Sequence, residues 1–491
     1  MFGFSIINVL LYFLYPISLI SISMYVSRNK EVSVESYFFG NRNITWLVSG
    51  VSLLTTCFFS PYIFSFSSSG LNASLPIAYG LVSSIMLVIV GWVIAPLYSK
   101  LKINTLPEYF EKRFGESSKF FLSALYILSN IVLRLLPVLA IGGALLREVA
   151  GVDTYSILLF FLVVTGLYVL IGGLEAESYV NIVQMLFIAL GAGVFSWWVF
   201  SRGDVRQSFE INSFFANSEF TAAGLFFGLP IIGFWFWSAD QFVVQKILSV
   251  QNNSSVKKAV MTSLFLQIIP LLFFVLPGIL LFALSKNQSS AITTLHTLFS
   301  GGVIPESLRG GITVGAVAAL MATFANLFNS TSSLVTFDFY RTLKQNASDR
   351  ELVLVGRMTT MILLFISILL IPFSQTISFE LCLTLFKIFA YVASMVAAVF
   401  LTSLINKKIN AASAIITFCI STAVISVRSI VELFFDGYSF ENTMIQWFVE
   451  IGFLEFSVFV FLFSMLFAVS LHMLRMVAAS GFLSKKQKTV F

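Results

Sequence analysis

The chain has 491 residues, of which 58% are apolar and 11% charged, and its mean hydropathy is +0.94. Soluble domains carry about 25% charged residues, so this composition excludes a soluble enzyme, a nucleic-acid-binding protein and a disulfide scaffold. The net charge of +6 is read as Lys and Arg gathered in cytoplasmic loops, the usual bias of a membrane protein.

Apolar runs predict thirteen membrane helices near residues 5–25, 45–70, 74–98, 120–149, 155–174, 178–201, 221–248, 258–285, 311–340, 351–374, 378–405, 410–434 and 449–474. Each run is long enough for the ~20 residues that a span requires. Only Met1, Phe2 and Gly3 precede the first run, so no basic leader of a cleaved signal peptide is expected. In the second run, small and hydroxyl residues from Ser52 to Gly70 cluster around Pro61, which cannot donate to the helical ladder. The seventh run repeats the pattern with Gly228, Pro230 and Gly233. Two interrupted helices five spans apart match the inverted-repeat plan of secondary transporters. With the N-terminus outside, 21 Lys and Arg residues fall in cytoplasmic stretches and 6 in outer ones. The expected orientation is therefore N-terminus out and C-terminus in. Expected divisions are a peripheral helix and loop (1–44), two repeats (45–206 and 207–408), then two peripheral helices with a basic tail (409–491).

Cys57, Cys382 and Cys419 lie in apolar segments without metal-ligand spacing and are read as packing residues. His296 and His472 are too far apart in sequence to suggest a His-rich metal cluster.

Several short motifs occur in order. They are Tyr37-Phe38-Phe39-Gly40-Asn41-Arg42 with Trp46, Thr105-Leu106-Pro107-Glu108-Tyr109 with Arg113-Phe114-Gly115, and Gly172-Gly173-Leu174 with Gln184. Trp237-Ser238-Ala239-Asp240-Gln241 with Gln245, and Asn329-Ser330-Thr331 with Asp338-Phe339-Tyr340, complete the series. Over residues 35–345, and more weakly to about 408, the chain resembles the sodium:solute symporter family. The nearest branch is that of the bacterial sodium/galactose and sodium/sialic-acid symporters. The resemblance implies an all-α membrane protein with a five-plus-five inverted-repeat core, working by alternating access in a bacterial inner membrane. It implies a small-molecule substrate, the lipid bilayer as surroundings, a monomer, and neither catalysis nor nucleic acid.

The same resemblance places one Na⁺ between backbone carbonyls of Thr55 and Phe58 and a helix bearing Ala319, Ala322 and Thr323. Family members carry hydroxyls at the last two of these positions, so Ala322 removes one ligand. At 1.5 Å per residue, Thr323 and the break near 57–61 both lie about 10–13 residues from their helix starts. A second family ion site requires an acid where this chain has Asn181, with Ala325 and Asn326 as its partners. A neutral amide does not balance a cation in low dielectric, so at most one Na⁺ is expected. Positions matching sugar contacts hold Tyr62, Gly80, Ser83, Gly233, Gln267 and Phe386, and Phe236 stands where members place an inner-gate tyrosine. Few of these side chains can pair with sugar hydroxyls, which argues against an aldohexose.

Arg134 and Lys387 fall inside predicted spans, where a charge costs ~2.5–3.5 kcal/mol even on lenient scales. Arg134 matches a carboxylate-binding arginine of the sialic-acid branch, and a guanidinium forms a bidentate pair with a carboxylate. Its alternative role is to bond helix carbonyls freed by Pro137. Lys387 can contact an anion, stand in for a lost cation, or serve structure alone. Asp240, Asp338, Glu175 and Glu177 are expected at cytoplasmic helix ends, paired with loop Lys and Arg. The expected function is Na⁺-coupled uptake of a sugar-like or carboxylate-bearing solute such as sialic acid. The alternatives are a sodium-independent or proton-coupled carrier and a transporter-derived sensor.

Overall fold

A computed structural model describes residues 6–28, 32–57, 82, 85–150, 153–201, 221–267, 269, 305–435 and 443–488. Among these residues the chain is helical throughout, with one isolated bridge between Ile44 and Val250. In chain order the helices are α1 (Ile6–Ser27), α2 (Val34–Phe39), α3 (Trp46–Cys57), α4 (Ile85–Leu101), α5 (Leu106–Phe114), α6 (Glu116–Arg147) and α7 (Thr154–Ser201). They continue as α8 (Gly224–Ala239), α9 (Gln241–Leu248), α10 (Asn253–Leu266), α11 (Leu308–Leu343) and α12 (Asp349–Ser374). The last four are α13 (Phe379–Ile405), α14 (Ala411–Phe434), α15 (Thr443–Glu450) and α16 (Phe453–Lys488).

Helix starts follow from short polar residues that satisfy free backbone N–H groups. Ser33, Thr105, Asn252, Ser348, Ser378 and Asn410 each accept a hydrogen bond from the backbone N–H three residues on. Asp153 does the same ahead of α7, accepting from the Ser156 N–H at 3.0 Å and its hydroxyl at 3.1 Å. These bonds hold its carboxyl below the ordinary carboxylate value, with the backbone bond from Ser156 the largest cause.

Prolines inside the spans are absorbed without sharp kinks. Pro96, Pro137 and Pro230 each sit two residues after a π turn, at Val90–Ile94, Asn130–Leu135 and Gly224–Gly228. Proline offers no N–H and crowds the carbonyl one turn back, and a local π turn accommodates that missing bond. The expected break at Gly228–Gly233 is accordingly not where the helix parts. Gly233 lies within continuous helix, and the bend of 42° comes at Asp240, between α8 and α9. A second bent pair, α4 and α5, turns by 66°. The expected break at Pro61 lies outside the described residues.

The predicted spans 155–174 and 178–201 are joined in α7 by Gly173 alone, at φ 56° and ψ −147°. A Cβ there would lie 2.2 Å from the Tyr37 carbonyl oxygen. Seven helices among the described residues are long and apolar enough to cross a membrane, and nine if each bent pair is one span. α11 is the central one, with 89% of its apolar window buried, against 33% in α12 and α16. It packs along α7, where Gly191 and Gly315 let the backbones meet closely. α9 is buried at every residue, between α3, α4, α2 and α11.

Candidate functional site

The bend at Asp240 builds the first polar centre. Asp240 leaves helical geometry, at φ −83° and ψ 129°, and its side chain accepts from the Phe242 N–H, capping α9. The same carboxylate takes both terminal nitrogens of Arg134 from α6, one at 3.2 Å, in a bidentate pair. Asn130, one turn earlier, accepts a further bond from Arg134 at 3.3 Å and donates to Thr331 on α11 at 2.9 Å. The guanidinium is walled by aromatic rings, with centroids 4.0 Å away at Phe242, 4.4 Å at Phe389 and 5.6 Å at Trp235. Both partners are buried, and the Arg134 Nε has no hydrogen-bond partner among the described residues. Arg134 is thus bonded to Asp240 and Asn130. Asp240 does stand at a helix end, but there it is the interior partner of a membrane-embedded cation, which corrects its expected pairing with loop charges.

A second centre joins α3, α7, α9 and α11. Lys246 on α9 places its ammonium 2.5 Å from Oε1 of Glu177 on α7, and both side chains are fully buried. The Asn329 amide on α11 donates to Oε2 of Glu177. The Asn181 amide donates to the Ser52 hydroxyl at 2.8 Å and, at 3.4 Å, to Glu177 Oε1. Glu177 is therefore an interior residue too, and Lys246, counted with the loop cations by sequence, belongs to the core. The signal for both was present. Lys246 stands in Val243-Val244-Gln245-Lys246-Ile247-Leu248, inside the seventh apolar run, and Glu177 falls between two runs only three residues apart, so burial of either calls for a counter-charge. Asp338, likewise expected at a helix end, is buried and accepts from Thr105 at 2.6 Å and Ser123 at 2.7 Å.

The expected sodium positions are partly described. Thr55 is buried, and its hydroxyl lies 2.8 Å from the Val51 carbonyl and 3.3 Å from the Asn181 carbonyl. Ala319, Ala322 and Thr323 are buried on α11, which packs against α3. The Thr323 hydroxyl donates to the Ala319 carbonyl at 2.9 Å, which leaves oxygen lone pairs for a cation. Phe58 lies outside the described residues. At the expected second ion site, the Asn181 Oδ1 and both amide atoms of Asn326 are buried without hydrogen-bond partners among the described residues.

Of the expected solute contacts, Tyr62, Gly80 and Ser83 lie outside the described residues. A Cβ added to Gly233 on α8 would lie 3.4 Å from Val82 and 3.5 Å from Met86 of α4. Phe236 is buried one turn further on, edge-on to Trp237 at 5.1 Å. Gln267 is buried just after α10. Phe386 and Lys387 are half-buried on α13, less than one turn before Phe389, which touches Arg134.

Comparison with known proteins places this arrangement. A solved structure of a Na⁺-coupled sialic acid symporter superposes with a TM-score of 0.78, covering 96% of this chain and 98% of that one at 20% identity. The fold is therefore the five-plus-five helical fold of that transporter. Sodium/glucose cotransporter 1 of Mus musculus is 26% identical over 428 residues, 77% of this chain. Sodium/myo-inositol cotransporter 2 of Bos taurus is 27% identical over 428 residues, 78% of this chain. In both cases the match spans 64% of the relative's own length. The family model for sodium:solute symporters matches residues 37–420, from the motif opening at Tyr37 through both polar centres, and the chain belongs to the sodium:solute symporter family.

Proposed function

We propose that the protein couples one Na⁺ to the uptake of an uncharged, polyhydroxylated solute by alternating access, with residues 45–206 and 207–408 as its two repeats. Its proposed setting is a bacterial inner membrane, N-terminus out and C-terminus in. The observation that carries the substrate class is the bidentate pair of Arg134 with Asp240. With the guanidinium already paired to Asp240, it offers no free charge to a carboxylate-bearing solute, and a neutral solute needs none. The glucose and myo-inositol relatives agree with that class. Gly233, Phe236, Gln267 and Phe386, with Tyr62 and Ser83, are the proposed lining. Na⁺ is assigned to the carbonyls of Thr55 and Phe58 with Ala319, Ala322 and Thr323.

A second reading rests on the Arg134 Nε, which has no hydrogen-bond partner among the described residues. If Asp240 swings aside during the cycle, Arg134 and Lys387 can receive a carboxylate such as that of sialic acid.

The test is uptake into proteoliposomes of labelled myo-inositol, glucose and sialic acid, each with and without an inward Na⁺ gradient. The expected result is Na⁺-dependent uptake of a neutral solute with a Hill coefficient near one for Na⁺. Thr323→Ala should raise the half-saturating Na⁺ concentration about tenfold, the effect of losing about 1.4 kcal/mol of ligation. Sialic-acid uptake alone would overturn the neutral class in favour of the second reading. Solute binding without uptake would make the protein a sensor, and uptake indifferent to Na⁺ would make it a sodium-independent or proton-coupled carrier.

A further inference from the structure

The buried pair of Lys246 and Glu177 has no part in the proposed ion or solute contacts, yet it joins two groups of helices. On one side, α3 and α9 are tied into a unit. The Ile44 N–H donates to the Ser249 carbonyl at 3.1 Å, Ile44 bridges Val250, and the Ser49 hydroxyl donates to the Lys246 carbonyl at 3.3 Å. On the other side, Glu177 of α7 is held by Asn329 of α11, the most buried span. The Lys246 ammonium and Glu177 carboxylate, 2.5 Å apart and both fully buried, connect the two sides. Asn181 adds a neutral bond across the same seam, to Ser52. Every residue of α9 is buried, so α9 is packed on all sides by the described residues in this conformation.

We propose that Glu177 and Lys246 form a latch that holds α9 shut at the face where the loop Lys and Arg residues gather, and that it opens once per transport cycle. An ion pair suits this task because its energy is concentrated in one contact: closed, it is desolvated and strong, and open, both charges reach water. The inference rests on the alternating-access part of the proposed function, and it concerns positioning rather than contact with solute or Na⁺.

The experiment uses the full chain with Cys57, Cys382 and Cys419 replaced by Ala and a reporter V244C on α9, where Val244 is fully buried. A membrane-impermeant maleimide is applied to vesicles of either orientation, without solute or Na⁺. Removing one charge strands the other and endangers folding, so the main variant is the neutral double, Glu177→Gln with Lys246→Met. It should remain monodisperse and label about tenfold faster than the reporter alone from the basic face, and at an unchanged rate from the other. Lys246→Arg, which keeps the charge, should label at the reporter's own rate, and Asn329→Ala, which loosens Glu177, about threefold faster. Unchanged labelling in both the double variant and Asn329→Ala overturns the latch. Because labelling needs no solute, a failed uptake assay with accelerated labelling rejects the substrate assignment and leaves the latch standing.

Discussion

Arg134 and Lys387 can be read from sequence as membrane-embedded cations because each stands alone within an apolar run. The carboxylates that pair with Arg134 and with Lys246 are harder to read. Asp240 and Glu177 lie close to predicted helix ends, and boundaries read from a sequence are uncertain by a few residues. A shift of one turn moves a carboxylate from solvent to the core. Lys246 was misplaced for the same reason, and removing it from the loop cations leaves the sign of the charge asymmetry unchanged. The Arg134 pair also sets a stability expectation. Arg134→Ala strands a buried carboxylate and should cost about 3–5 kcal/mol. A neutral double, Arg134→Met with Asp240→Asn, should recover most of that loss in thermal unfolding of the detergent-solubilised protein. A single variant as stable as the double would mean that water reaches Asp240 without cost.

At the scale of the element, the apolar runs were the most legible feature, and the helix starts follow a local rule, because Ser, Thr, Asn and Asp there bond the backbone just ahead. The position of the helix break was the least legible. Pro230 and its flanking glycines look like a break in sequence, but the π turn ahead of the proline absorbs it, and the chain parts at Asp240 instead. The motif Gly172-Gly173-Leu174 gains a physical cause. Gly173 adopts a backbone region essentially confined to glycine, beneath the Tyr37 carbonyl. Gly173→Ala should therefore destabilise the protein by about 3 kcal/mol or more, seen as a lower unfolding temperature and a smaller monodisperse fraction. An unfolding temperature equal to that of the unmodified chain would show that α7 can turn without a positive φ.

For the whole molecule, composition fixed the class and ordered motifs fixed the family, since both survive errors in any single boundary. The paired polar centres depend on contacts between residues up to 201 positions apart, which no local pattern encodes. The proposed orientation makes a direct prediction. A fluorescent protein fused after Phe491 should fluoresce and alkaline phosphatase fused there should stay inactive, and the reverse result would invert the molecule in its membrane. The π turns have a consequence at this scale as well. Each holds one residue more than an α turn, which is a phase slip of about 100° between the helix faces before and after it. Arg134 lies inside one of these turns. A relative with an uninterrupted α-helix there would keep the arginine at the same alignment column while aiming it elsewhere, so equal letters in two such chains need not mean equal pockets.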